Sequence, residues 1–149
     1  MYSAILSIHN IFRWIVLLLG IVAIVRAFLG WFGKRQWTER DRRIGSFYSM
    51  AMDIQVLLGL GLYFFLSPIT KTAFQDLGAA MQSADLRFFL LEHPLYMILA
   101  AVFAHLGNIR SRKAADDPKR FQQAAIWFSL SLLVILIGMP WLRRLFPGL

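Results

Sequence analysis

Three histidines are the residues of this chain best suited to chemistry, and two of them share one apolar run with an acid beside the first. That run reads Leu90-Leu91-Glu92-His93-Pro94-Leu95-Tyr96-Met97 and continues through Ala100 and Ala104 to His105 and Asn108. The third histidine, His9, stands near the start of the first apolar run, and Arg13 follows four positions later on the same helical face. A neutral imidazole is the commonest protein ligand for a metal or haem iron. Ionisable groups are costly in hydrocarbon, so inside an apolar run they mark a functional site by default.

The elements that must position these groups follow from composition. Of 149 residues, 58% are hydrophobic and 16% charged, and the mean hydropathy is +0.59, too apolar for a soluble domain of this length. A helix needs about 20 mostly apolar residues to cross a bilayer. Four such runs are present, at Ala4 to Phe32, Ser46 to Leu66, Phe88 to Ile109 and Phe121 to Trp141. They lack the alternation of a membrane barrel. The expected fold is therefore all-α: residues 1–149 form a single polytopic membrane four-helix bundle, with Ser3 or Ser7 as caps of the first helix. In the second connection Phe74, Leu77 and Met81 recur at helical spacing, which predicts a short amphipathic helix over the outer mouth.

A net charge of +8 would point to nucleic acid in a soluble protein, but here the cations sort by connection. Lys34, Arg35, Arg40, Arg42 and Arg43 fill the first, and Arg110, Arg112, Lys113, Lys119 and Arg120 the third. The second holds Lys71 and Arg87, and the tail Arg143 and Arg144. Positive connections stay inside, so both termini and the second connection are expected outside. The first run has no basic segment before it and no small-residue cleavage site after it, so it reads as a span, not a signal peptide. There is no cysteine, which excludes disulfides, thiolate metal sites and covalent haem attachment.

In a bundle of alternating helices, His9 and His93 each lie about 9 Å below a helix end at 1.5 Å per residue. Two imidazoles at one level across a bundle are how membrane proteins hold a b-type haem with both axial positions filled. Arg13 would neutralise a propionate or pair with Glu92, and Ser67 and Lys71 would serve propionates from the rim. A bare metal ion, or an Arg13–Glu92 salt bridge with two structural histidines, accounts for the same letters. Near the opposite end, Arg26, Asp53, Gln55 and His105 form a second expected grouping. It is either a structural polar cluster or a proton-relay or quinone-headgroup site. Helix four carries no ionisable residue from Ala124 to Met139 and reads as a packing helix.

These residues also carry a resemblance. Ile8-His9 through Arg13-Trp14 to Arg26-Ala27-Phe28, followed by a third helix with His93, His105 and the basic exit Arg110 to Lys113, looks like small bacterial four-helix b-type cytochromes. The same pattern is similar to the haem-containing membrane protoporphyrinogen oxidase family. That family has a lysine two positions after the third-helix histidine, where this chain has Leu95. Arg87-Phe88-Phe89 to Glu92-His93-Pro94, with Gly138-Met139-Pro140-Trp141, resembles bacterial membrane proteins labelled cytochrome b. The resemblance implies one haem b in a bacterial inner membrane and electron transfer from a quinol or membrane oxidoreductase to an outer-side acceptor. His9 and His93 would be its axial ligands, Arg13 a propionate partner and Glu92 an orienting or proton-accepting group. Porphyrinogen oxidation, or an accessory role in a larger membrane redox complex, are the other functions it allows.

Overall fold

The computed structural model describes residues 1–141; Arg143 and Arg144 of the basic tail lie outside them. The chain is all helical, with no strand among the described residues. Helix α1 spans Tyr2–Phe32, α2 Glu39–Gly61, α3 Pro68–Gln75, α4 Leu77–Gln82, α5 Ala84–Arg87, α6 His93–Lys113 and α7 Asp117–Ile137. One π turn, Leu62–Leu66, extends α2, and a second, Phe88–Glu92, joins α5 to α6. Four helices are long and apolar enough to cross a membrane: Tyr2–Phe32, Glu39–Leu66, Ala84–Lys113 and Asp117–Ile137. Their outward faces carry large bare apolar side chains such as Leu18, Leu57, Val102 and Leu133, the surface that hydrocarbon solvates and water does not.

Local chemistry sets where the helices begin and end. Helix α1 starts at Tyr2 without a side-chain cap, so neither Ser3 nor Ser7 caps it. It stops in a Schellman arrangement, with Arg35 N–H donating to the Gly30 carbonyl and Lys34 N–H to that of Trp31. Lys34 occupies the left-handed position at φ 47°. Helix α2 begins seven residues before the apolar run because Thr38 and Asp41 form a capping box. Helix α7 is capped by Asp116, whose carboxylate accepts from Lys119 N–H at 2.9 Å. That N–H holds the Asp116 carboxyl below the ordinary carboxylate range.

Small residues let the helices approach. The ring of Phe121 on α7 lies where a side chain on Gly30 of α1 would stand, and the ring of Phe128 does the same at Gly107 of α6. Alanines at positions 23, 27, 51, 100, 104, 124 and 125 complete the close-packed interior.

One buried hydrogen-bond chain ties three helices. Ser131 Oγ donates to the Ala100 carbonyl at 2.7 Å, which leaves its oxygen to accept from Tyr48 at 2.8 Å. Ser131→Ala would strand the fully buried Tyr48 hydroxyl, costing about 1–3 kcal/mol. Tyr48→Phe keeps the Ser131 donor satisfied and costs less. Thermal unfolding of the purified protein in detergent checks the order, and equal losses would contradict it.

The second connection differs from expectation. It is three short helices, broken where Asp76 and Ser83 cap the next segment. Phe74, Leu77 and Met81 point outward, while Thr70, Ala73 and Ala80 are the buried face. Small side chains pack inward because the segment lies close against the π turns.

Candidate functional site

The two π turns face each other at the end of the bundle away from the basic connections, and each exists because a proline follows it. Pro68 has no N–H, and Ser67 N–H reaches back to the Leu62 carbonyl at 2.8 Å. The freed Tyr63 carbonyl accepts instead from Thr70 Oγ1 at 2.7 Å. Pro94 likewise offers nothing to the carbonyl four residues back, that of Leu90, which accepts from the Tyr63 hydroxyl at 2.9 Å. Thr70, Tyr63 and Leu90 thereby clamp the second connection across helices α2 and α6. Tyr63→Phe is expected to lower stability by about 1 kcal/mol and to speed proteolysis within residues 68–87. An unchanged cleavage rate would contradict the clamp.

Below this clamp lies a cavity of about 530 Å³, within the roughly 300–1,000 Å³ usual for small-molecule and cofactor sites. His9, Arg13, Gln55, Tyr63 and His93 supply its polar wall, and Leu6, Val56, Leu60, Leu62 and Ile98 much of its apolar wall. A smaller void of about 20 Å³ lies toward Val16, Ile135 and Met139. His9, Arg13, Met52, Gln55, His93, Met97 and Pro140 line both spaces.

The expected meeting of the two outer histidines occurs. Their ring centroids are 6.4 Å apart and their planes cross at 74°. A metal–imidazole bond is about 2 Å long; two such bonds plus the two ring half-widths place coaxial rings at about this spacing. His93 Nδ1 lies 2.7 Å from the Gly138 carbonyl. A carbonyl only accepts, so Nδ1 carries the proton and Nε2 the free lone pair, as a ligating histidine requires. Gln55 Nε2 donates to the His9 carbonyl at 3.0 Å and sits a long 3.4 Å from His9 Nε2.

Three buried polar atoms around this cavity have no partner among the described residues: His9 Nδ1, Arg13 Nη1 and Gln55 Oε1. Arg13 matters most. Its guanidinium is buried, and its one recorded hydrogen bond is to the neutral Asn10 Oδ1, at 2.6 Å. No carboxylate pairs with it among the described residues, and a buried cation without a counter-charge is expensive. No cluster of three or more His, Asp or Glu able to hold a bare metal ion occurs among the described residues.

Several expected partners separate. Glu92 neither meets Arg13 nor lines the cavity; Arg87 Nε donates to it at 2.8 Å. A one-residue step turns a helix by about 100°, so Glu92 and His93 diverge. Lys71 is exposed and lies off the cavity wall, whereas Ser67 lines it. Of the grouping of Arg26, Asp53, Gln55 and His105, only the Asp53–His105 pair forms. Arg26 pairs with Asp41, with Nη2 to Oδ1 at 2.6 Å, while Thr38 occupies the other oxygen. Gln55 turns inward to His9. Asp53 faces the other way and bonds His105 Nε2 at 2.7 Å.

The sequence reading missed Asp41, Tyr63 and the Gly138 carbonyl. The spacing of Thr38 and Asp41 carried a capping-box signal for the first, and Pro94 announced a freed carbonyl for the second. A backbone carbonyl has no letter of its own. No family model, no curated protein and no solved structure matches this chain, so its function must be argued from the site itself.

Proposed function

We propose that the chain is a b-type haem protein of a bacterial inner membrane that passes electrons, with His9 and His93 as the two axial ligands. The observation that carries this reading is the pair of imidazoles 6.4 Å apart on the wall shared by two cavities, beside a buried arginine with no counter-charge among the described residues. His9 and His93 would hold the haem, and a propionate would supply the anion that Arg13 lacks among the described residues. Haem supplies one-electron exchange when bound, and two protein ligands leave no open position on the iron, which favours electron transfer over substrate oxidation.

The chain's own residues do the rest. The Gly138 carbonyl fixes the ring and tautomer of His93, and Gln55 steadies His9 through its backbone carbonyl. Asn10 aims Arg13. The apolar wall excludes water, which strengthens each of these polar contacts. With the basic connections inside, the cavity opens toward the outer face, where a membrane redox complex would exchange electrons with it.

Titrating the purified protein with ferric protoporphyrin IX tests the proposal. The expected result is saturable binding of one haem per chain with a low-spin spectrum. Binding no better than that of protein-free detergent micelles would overturn it.

A further inference from the structure

The pair that faces away from the cavity is the part of the molecule the haem reading does not use. Asp53 Oδ1 and His105 Nε2 are 2.7 Å apart, and their side chains remain 48% and 44% exposed. Asp53 shares its face of α2 with the exposed Met50, Ile54 and Leu57, and His105 shares its face of α6 with Ile98, Val102 and Ile109. Half of a carboxylate and half of an imidazole therefore look out among side chains that contact hydrocarbon. Lipid tails offer no hydrogen bond, so the pair is costly unless something polar covers it.

We infer that this half-exposed pair on the outward face of α2 and α6 binds the headgroup of a membrane hydroquinone. One hydroxyl donates to Asp53 Oδ2, on the carboxylate that His105 Nε2–H holds through Oδ1. The Asp53–His105 hydrogen bond leaves Oδ2 and the Nδ1 lone pair over, both of them acceptors, and a phenolic hydroxyl supplies the donor that neither lipid tails nor apolar side chains offer.

Two further features favour a small planar ligand over a second copy of the chain. Helices that pair in a membrane approach through small residues. Here Gly45, Ser49 and Ala51 of α2 and Ala100, Ala104 and Gly107 of α6 are all turned into the bundle. The outward positions around the pair are bulky side chains, which keep another helix at a distance while leaving the pair within reach of a small ring. The location is also suited to electron exchange. Asp53 lies between Met52 and Gln55 in sequence, and both of those line the His9 cavity. Only helix α2, about 10 Å across, separates the two sites. Toward the basic end the same seam is polar, with Ser46 Oγ donating to Asn108 Oδ1 at 3.4 Å.

The purpose of the site rests on the electron-transfer reading, but its geometry does not, and the experiment keeps the two apart. Protein in nanodiscs of quinone-free lipid is labelled with a photoreactive short-tail hydroquinone, with and without added haem, and the labelled peptides are identified. The expected label falls within residues 50–57 or 98–109 in both preparations and is competed by excess unreactive hydroquinone. Asp53→Asn and His105→Gln each reduce it about tenfold, the loss of one charge-assisted hydrogen bond, with helix content unchanged by circular dichroism. Label confined to the His9 cavity, label undiminished in both variants, or a Met50→Cys variant that cross-links between copies and excludes the probe would overturn the inference. Labelling at the Asp53–His105 pair in a protein that takes up no haem would leave this site standing and remove the electron-transfer reading.

Discussion

His93→Ala should abolish the low-spin pigment, lowering haem affinity by more than about 100-fold. Loss of a supporting second contact alone typically costs 10–100-fold, and here the ligand itself is removed. His9→Ala should behave in the same way, because both rings line the one cavity and stand 6.4 Å apart. Residual haem in either variant should be high-spin, held by the remaining imidazole and Arg13. Glu92→Ala is the matched control: its carboxylate is held by Arg87, off the cavity wall, so the spectrum should not move. Haem titrations of the three variants check this. Equal binding in all three would detach the histidines from the pigment.

Gly30→Val should destabilise the bundle by about 3 kcal/mol, near the upper end for overpacking a filled core. A Cβ at this position would stand 2.2–2.4 Å from three atoms of the Phe121 ring. That ring is 2% exposed and packs edge-on against Trp37 with centroids 4.8 Å apart, so it has nowhere to turn. Helices α1 and α7 must therefore separate. Gly61→Ala, where the added atom meets nothing within 4 Å, should be neutral or stabilising. Phe121→Leu in the Gly30→Val background should recover part of the loss, as contacting residues couple. Thermal unfolding of the four proteins in detergent reads each effect, and equal midpoints for Gly30→Val and the parent would contradict the packing account.

The four spans and the meeting of His9 with His93 were legible because both follow from helix length and rise. Matching depths on two helices need only 1.5 Å per residue and an alternating path. What failed was helix phase. Asp53 and Gln55 are two residues apart, about 200° around the axis, so they could not share a cluster, and the structure sends one outward to His105 and the other inward to His9. Arg26 was misassigned because α2 starts at Glu39, bringing Asp41 within 2.6 Å of it. The helical second connection was legible from the spacing of Phe74, Leu77 and Met81, but its breaks were not, since they come where Asp76 and Ser83 restart the helix. The role of α7 as packing element holds for its side chains, yet its terminal carbonyl at Gly138 sets the tautomer of His93.

The central claim is that two nearly perpendicular imidazoles hold one iron, and low-temperature electron paramagnetic resonance of the oxidised, haem-loaded protein tests it most directly. With the imidazole planes crossed at 74°, a haem iron held by both would have its two interacting orbitals close in energy, which would spread the low-spin signal over a wide field range. The account predicts that strongly anisotropic low-spin signal, lost in both His9→Ala and His93→Ala. A high-spin signal in the parent protein, or no haem signal after loading, would contradict it.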